Sequence, residues 1–295
     1  MAHSRTGIMP SPGPASATDR ALPSRRRHPD RERQSAAEAP DTLLCLDIET
    51  VADTDMPVVD PDRFPKPCWH RIVAISYVEA RIAVDPATGH ERYLVRQCRS
   101  GGNEDWDERR LLTAFWKFFA AGRYRIVTWN GRSFDVPVLQ ARALIHGIPV
   151  QAWYCRGDRW NGYGSRYAPD WHTDLMDVLS GFGASPRMGL DECAVALGLP
   201  GKAGEHGAHV ADQIARGDLA GVRAYCETDT LNSMALYVRH ALLCGKTDAE
   251  GHDASLRSLV DYLAAEGRTR PHLRAFLDRW MSSSRPAPMF VADGA

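Results

Sequence analysis

Apolar and polar positions change their period several times along this chain, and each change marks an element. Leu43-Leu44-Cys45-Leu46 is a continuous apolar run leading into Asp47-Ile48-Glu49-Thr50, which reads as a buried central strand ending in acids. Residues 71–79 and Arg92 to Cys98 read as two further strands, with Pro86-Ala87-Thr88-Gly89 as the turn of a hairpin between them. Leu111, Leu112, Phe115, Trp116 and Phe119 recur at helical spacing, so 107–121 is expected to be helical. A short apolar strand at 125–129 is stopped by Asn130-Gly131. A helix over 133–146 follows, closed by Gly147. Strand character returns at 171–176, and helices are expected at 189–198, 218–243, 253–265 and 271–282. Three strands able to pair antiparallel, followed by alternating helix and strand, predict an α/β fold with a mixed central sheet flanked by helices.

The first 40 residues break this pattern. They hold six prolines, seven arginines and no aromatic residue, so they cannot bury enough apolar surface to offset their ordering entropy. We expect a disordered Pro/Arg-rich tail over 1–40, with no apolar stretch of a signal peptide in it. The remaining divisions expected are a main domain over 41–245, a helical extension packed on it over 246–282, and a disordered tail over 283–295.

Charge adds little at first. The 295 residues carry 36 Lys+Arg against 37 Asp+Glu, which argues against a protein that coats nucleic acid through a blanket of basic residues. No apolar run approaches the roughly 20 residues needed to span a bilayer, so no membrane partner is expected. Seven cysteines are scattered without a CxxC pair, as reduced thiols of a cytoplasmic protein would be.

Three acidic motifs carry candidate chemistry. Asp47 and Glu49, two apart on a strand, project from one face, and two such carboxylates repel unless a cation sits between them. A hard divalent metal answers that need, although most Asp-x-Glu pairs are solvated strand ends. Asn130-Gly131-Arg132-Ser133-Phe134-Asp135 lies at a strand end. It reads equally as a turn with Ser133 as helix N-cap and Asp135 in the first turn. Tyr225 and Asp229, four apart in Tyr225-Cys226-Glu227-Thr228-Asp229, share a helix face.

In this order, the three motifs resemble those of the DEDD superfamily of 3′–5′ exonucleases, in the subtype with tyrosine in the third motif. Leu-Asp-Ile-Glu-Thr, Asn-Gly-Arg-Ser-Phe-Asp and Tyr-Cys-Glu-Thr-Asp are most similar to the exonuclease domain of family B DNA polymerases and to stand-alone bacterial predicted exonucleases related to it. His172-Thr173-Asp174-Leu175-Met176-Asp177 and the stretch from Gly204 to Gly217 also look like that group. The resemblance implies a ribonuclease H-like fold and two-metal phosphodiester hydrolysis from a free 3′ end of DNA or RNA, releasing nucleoside 5′-monophosphates. Asp47, Glu49, Asp135 and Asp229 would hold two Mg²⁺ or Mn²⁺ ions. Tyr225 would orient the attacking water. Thr50, Asn130 and Phe134 would contact substrate.

Outside those motifs, residues 151–171 interleave Trp153, Tyr154, Trp160, Tyr163, Tyr167 and Trp171 with Arg156, Arg159 and Arg166. Such a segment either guides a single strand, with Arg159 and Arg166 on phosphates, or packs its own aromatics against the sheet. His172 and Asp174 read as structural, and His206 with His209 as a loop pair lacking zinc partners. Two rivals stand. One is an aspartate-nucleophile phosphatase, suggested by Leu46-Asp47-Ile48-Glu49-Thr50-Val51. The other is a catalytically weak ribonuclease H-like module that binds nucleic acid in a repair complex.

Overall fold

The structure is a computed structural model that describes residues 40–56, 64–201, 209–283 and 288–292. The expected tail over 1–40, apart from Pro40, lies outside the described residues, as does His206. The described residues form one compact unit.

Five strands make the sheet: β1 Thr42–Ala52, β2 His70–Val84, β3 Glu91–Ser100, β4 Tyr124–Thr128 and β5 His172–Asp174. Their order is β3-β2-β1-β4-β5. β1, β2 and β3 pair antiparallel, while β4 and β5 run parallel to β1. This is the sheet of the ribonuclease H-like fold. The helices are α1 Glu108–Ala121, α2 Asp135–Ile145, α3 Gln151–Cys155, α4 Leu175–Leu179, α5 Leu190–Ala196, α6 Val210–Ala215, α7 Leu219–Leu243, α8 Ala249–Glu266 and α9 Pro271–Met281.

Alternation along β1 divides the core. Leu43 and Cys45 face a cluster with Leu231, Met234 and Val238 of α7, Leu256 of α8 and Phe276 of α9. Leu44, Leu46 and Ile48 face Leu112, Phe119, Leu139, Trp153 and Tyr163 on the other side. Asp47 and Glu49 continue the face that α7 crosses, because side chains two apart on a strand share a side. α7 is buried along most of its length because it lies between the sheet and α8 and α9, and its buried polar residues, Glu227 and Asp229 among them, interrupt an otherwise apolar surface.

Extension α8 also closes the open edge of the sheet. Ser255 Oγ, Ser258 Oγ and Tyr262 Oη accept the outward amides of Tyr93, Val95 and Cys98 at 2.9, 3.0 and 2.7 Å. Helical spacing thus supplies the acceptors that a sixth strand would have offered. Part of the segment expected as a tail over 283–295 is seated too, which corrects that expectation for residues 288–292. Asp253 accepts the Val291 and Ala292 amides at 2.9 Å, and Arg257 lies over the Phe290 ring.

Two further expectations change. β1 does not end at its acids but runs on to Ala52, because Val51 and Ala52 pair with Arg71 and His70 beyond a bulge at Glu49/Thr50. Ser133 is not an N-cap. Phe134 occupies that position without a side-chain cap, and Asp135 opens the helix.

Candidate active site

The parallel strands β1, β4 and β5 all end on one side of the sheet, where open α/β sheets form their crevices. The bulge beside Glu49 lies at this crevice, a place where bulges re-aim side chains. α7 delivers Cys226 over β1, and its thiol donates to Asp47 Oδ2 at 3.3 Å. Donor atoms of Asp47, Glu49 and Cys226 lie within 4.8 Å of one another, the one such cluster among the described residues.

Asp135 enters from the start of α2. Its Oδ1 accepts the Ile48 amide at 3.1 Å, so the second motif is fastened to the peptide between Asp47 and Glu49. Burial pushes the Asp135 carboxyl up to about 7. Its own amide and that of Ile48 pull it down, while Asp174 and Asp229 push it further up. Asp229 is therefore within electrostatic reach of Asp135, and both are buried. Tyr225, one turn earlier on α7, packs with Ala74, Val210 and Val222, against Val51 at the end of β1.

The turn that aims Asp135 explains the Asn-Gly pair. Asn130 has φ 64°, a left-handed conformation that asparagine tolerates. A Cβ on Gly131 would lie 2.4 Å from Thr128, so only glycine fits. Asp174 ties the turn down by accepting the Asn130 and Arg132 amides at 3.0 and 2.9 Å. It also accepts the Met176 amide at 3.1 Å, as N-cap of α4. Burial raises its carboxyl, and its bonds are those of a fastener. His172 is wholly buried, with Nε2 2.9 Å from Thr128 Oγ1. Burial, then the Arg132 charge, drives its pKa well below the usual range, so it is a neutral packing group.

Thr50 and Phe134 meet around His70. Thr50 Oγ1 lies 3.1 Å from His70 Nδ1, and the Phe134 ring stands edge-on to His70 with centroids 5.0 Å apart. Phe64, 77% exposed, leans on both rings. His70 and Phe64 carried no motif. Nothing in their own sequence shows that the bulged β1–β2 pairing brings them beside Thr50. The aromatic insertion is packed in part and exposed in part. Trp153, Tyr163 and Trp171 pack on the core, whereas Tyr154, Trp160 and Tyr167 are 68–70% exposed. Arg156 serves the end of α1, donating to the Gly122 carbonyl at 2.5 Å. Arg166 is paired with Asp177 at 3.0 Å, and Arg159 lies over the Trp160 ring at 4.9 Å.

Glu227 was also missing from the candidates. It accepts the Ser100 amide at 2.7 Å, His272 Nε2 at 2.6 Å and the Arg270 guanidinium, and so locks α7 to β3 and α9. A lone Glu between Tyr225 and Asp229 gives no local sign of this, because its partners lie far along the chain.

Carboxylates from two strand positions and two helices make a hard-oxygen donor set. Asp135, raised first by burial and then by the nearby Asp174 and Asp229 charges, is the kind of carboxyl that a divalent cation holds ionised. The donors present therefore fit such ions.

The sheet order and its acid-lined crevice define a ribonuclease H-like domain. Within that class, the chain belongs to the family described as predicted 3′–5′ exonuclease related to the exonuclease domain of PolB, whose model matches residues 62–280. The match takes in Asp135, Tyr225 and Asp229 and begins after Asp47 and Glu49. Membership removes the aspartate-nucleophile phosphatase reading. Among solved structures, the family B DNA polymerase of the hyperthermophilic archaeon Pyrobaculum calidifontis is similar at 19% identity and TM-score 0.43. That likeness covers 75% of this chain and 29% of that one. E. coli exonuclease I in complex with a dT13 oligonucleotide is similar at 14% identity and TM-score 0.38, over 80% of this chain and 46% of that one. The chain thus spans less than half the length of either. No curated protein matches it.

Proposed function

We propose that this protein is a metal-dependent 3′–5′ exonuclease that trims single-stranded nucleic acid, DNA in preference to RNA, and releases nucleoside 5′-monophosphates. The observation that carries this reading is the meeting of Asp47 and Glu49 from β1, Asp135 from α2 and Asp229 from α7 around one crevice. Asp47, Glu49, Asp135 and Asp229 would hold two divalent cations, Mg²⁺ or Mn²⁺. When bound, such a pair supplies hydroxide near neutral pH and charge compensation for in-line displacement. In this proposal the chain's own residues position the rest. Tyr225 orients the attacking water. Asn130 and Phe134, with Thr50 across the crevice, hold the terminal nucleotide. Ring stacking on Phe134 and Phe64 suits any base, since every base has a π-face.

Single strands are favoured because the exposed rings of Tyr154, Trp160 and Tyr167 offer stacking surface that a duplex would not use. The free thiols suit a reducing compartment, in keeping with a cytoplasmic protein. The test is incubation of 5′-labelled single-stranded DNA and RNA with Mg²⁺ or Mn²⁺. A ladder shortening from the 3′ end is expected. It should be abolished by chelator and reduced at least about a hundredfold in Asp47→Ala, more than the loss of an outer partner of a metal ligand costs. Activity surviving Asp47→Ala would sink the reading. Binding without shortening would favour the catalytically weak module.

A further inference from the structure

We propose that Cys226 sets which divalent cations the Asp47–Glu49 pair accepts, by adding a sulfur donor that captures thiophilic ions of the zinc and cadmium kind. The inference rests on the metal reading of the crevice given above and concerns a residue that reading leaves unused. Cys226 is fully buried, and its Sγ lies 3.3 Å from Asp47 Oδ2. Glu49 completes a triangle whose donor atoms are all within 4.8 Å of one another. Donors of a tetrahedral zinc centre with one sulfur and two oxygens stand about 3.5 Å apart, so one edge is already of that length. The other edges are no longer than 4.8 Å and would contract on binding.

The framework around this triangle is stiff. β1 is the middle strand of the sheet, and α7 is held by Glu227 through Ser100, His272 and Arg270. Hard cations prefer carboxylate and water oxygens, and with them the thiol stays protonated and donates to Asp47. Soft thiolate donors select zinc-like ions instead. On capture of such an ion the S–H bond breaks, its proton leaves to solvent, and the sulfur lone pair forms the metal–sulfur bond. Among the described residues no other cysteine lies in such a cluster with two acids.

The experiment uses the full-length, metal-free chain with no nucleic acid present. Cys68, Cys155 and Cys244 are replaced by serine, since the more exposed thiols would bind metal on their own. Cadmium is titrated while the ultraviolet thiolate-to-cadmium charge-transfer band is followed, with Mn²⁺ as competitor. One equivalent of band is expected, displaced by Mn²⁺. In Cys226→Ser the band should vanish and cadmium affinity fall at least about tenfold. An unchanged band and affinity in Cys226→Ser, or a band that Mn²⁺ does not displace, would overturn the proposal. If Cys226→Ser does not fold, Asp47→Asn asks the same question: the band must persist while cadmium affinity drops. Loss of 3′ shortening with an intact Cys226-dependent band would remove the exonuclease reading alone. Shortening with Cys226-independent cadmium binding would remove this inference alone.

Discussion

At Asp135 a carboxyl group sits inside the protein with the Ile48 amide as its fixed partner and with Asp174 and Asp229 nearby. Its folded pKa is about 7 against 3.8 for the free group, mainly through burial. Below pH 3.8 both folded and unfolded chains keep the proton, and its contribution to stability is fully present. Between 3.8 and about 7 the unfolded chain ionises first, so stability falls as pH rises, and above about 7 the loss is complete. Asparagine keeps the acceptor for Ile48 and cannot ionise. In chelator, Asp135→Asn should therefore be more stable than the parent at pH 8 by at least about 1 kcal/mol, the scale of one pKa unit, with the gap closing towards pH 4. Urea denaturation at the two pH values checks this, and an equal gap at both would refute it. The candidate acids could be proposed from sequence because motif order and spacing survive in one dimension. Cys226, Glu227, His70 and Phe64 were not, since each acquires its role from a partner brought near only by folding.

Elements longer than about two helical turns announced themselves, because a period needs several repeats to be read. α1 and α7 lie close to their expected spans, whereas α3 and α4, with five residues each, carry no readable period. β5 shrinks to three residues and β1 outlasts its acids, since pairing partners decide where strands stop. The consequence for α7 is testable through its clamp. Burial alone would raise the Glu227 carboxyl, but the bond from His272 and the charge of Arg270 outweigh it, and the pKa is lowered below 4.5. A depressed carboxyl adds stability above its unfolded pKa and loses it as pH falls through the folded value. Glu227→Gln should thus cost about 2–3 kcal/mol near neutral pH, a buried-pair loss reduced for the partial exposure of Arg270, and progressively less below pH 4. Because Tyr225 and Asp229 ride on the same helix, kcat should fall with it. Thermal unfolding across pH and a kinetic assay would check both, and full stability at pH 7 would deny the clamp.

For the whole molecule, 36 basic residues against 37 acidic ones conceal an uneven distribution. Acids crowd the crevice, where cations would offset them, and the exposed pairing of Arg159 with Trp160 stands in the insertion after α3. Grip on a single strand should then come from metal ions and a few stacked bases, with a short track of phosphate contacts. Each neutralised phosphate on a single strand changes the slope of log K against log salt by about −0.7. Two or three contacts predict a slope of about −1.4 to −2.1, whereas a long basic track of eight would give about −5.6. Anisotropy of labelled dT oligonucleotides on Asp229→Asn, at a series of salt concentrations, measures this without degradation. Trp160→Ala should weaken binding by about 1–3 kcal/mol and leave the slope alone, since stacking releases no counterions. Arg159→Ala should instead flatten the slope by about 0.7. Arg166 is already committed to Asp177, so Arg166→Ala should change the slope less than Arg159→Ala. A slope near −5 would move the grip away from the crevice, to a basic stretch such as residues 1–40 with their seven arginines. Deleting those residues would then collapse the slope, whereas a grip confined to the crevice and the insertion leaves it unchanged.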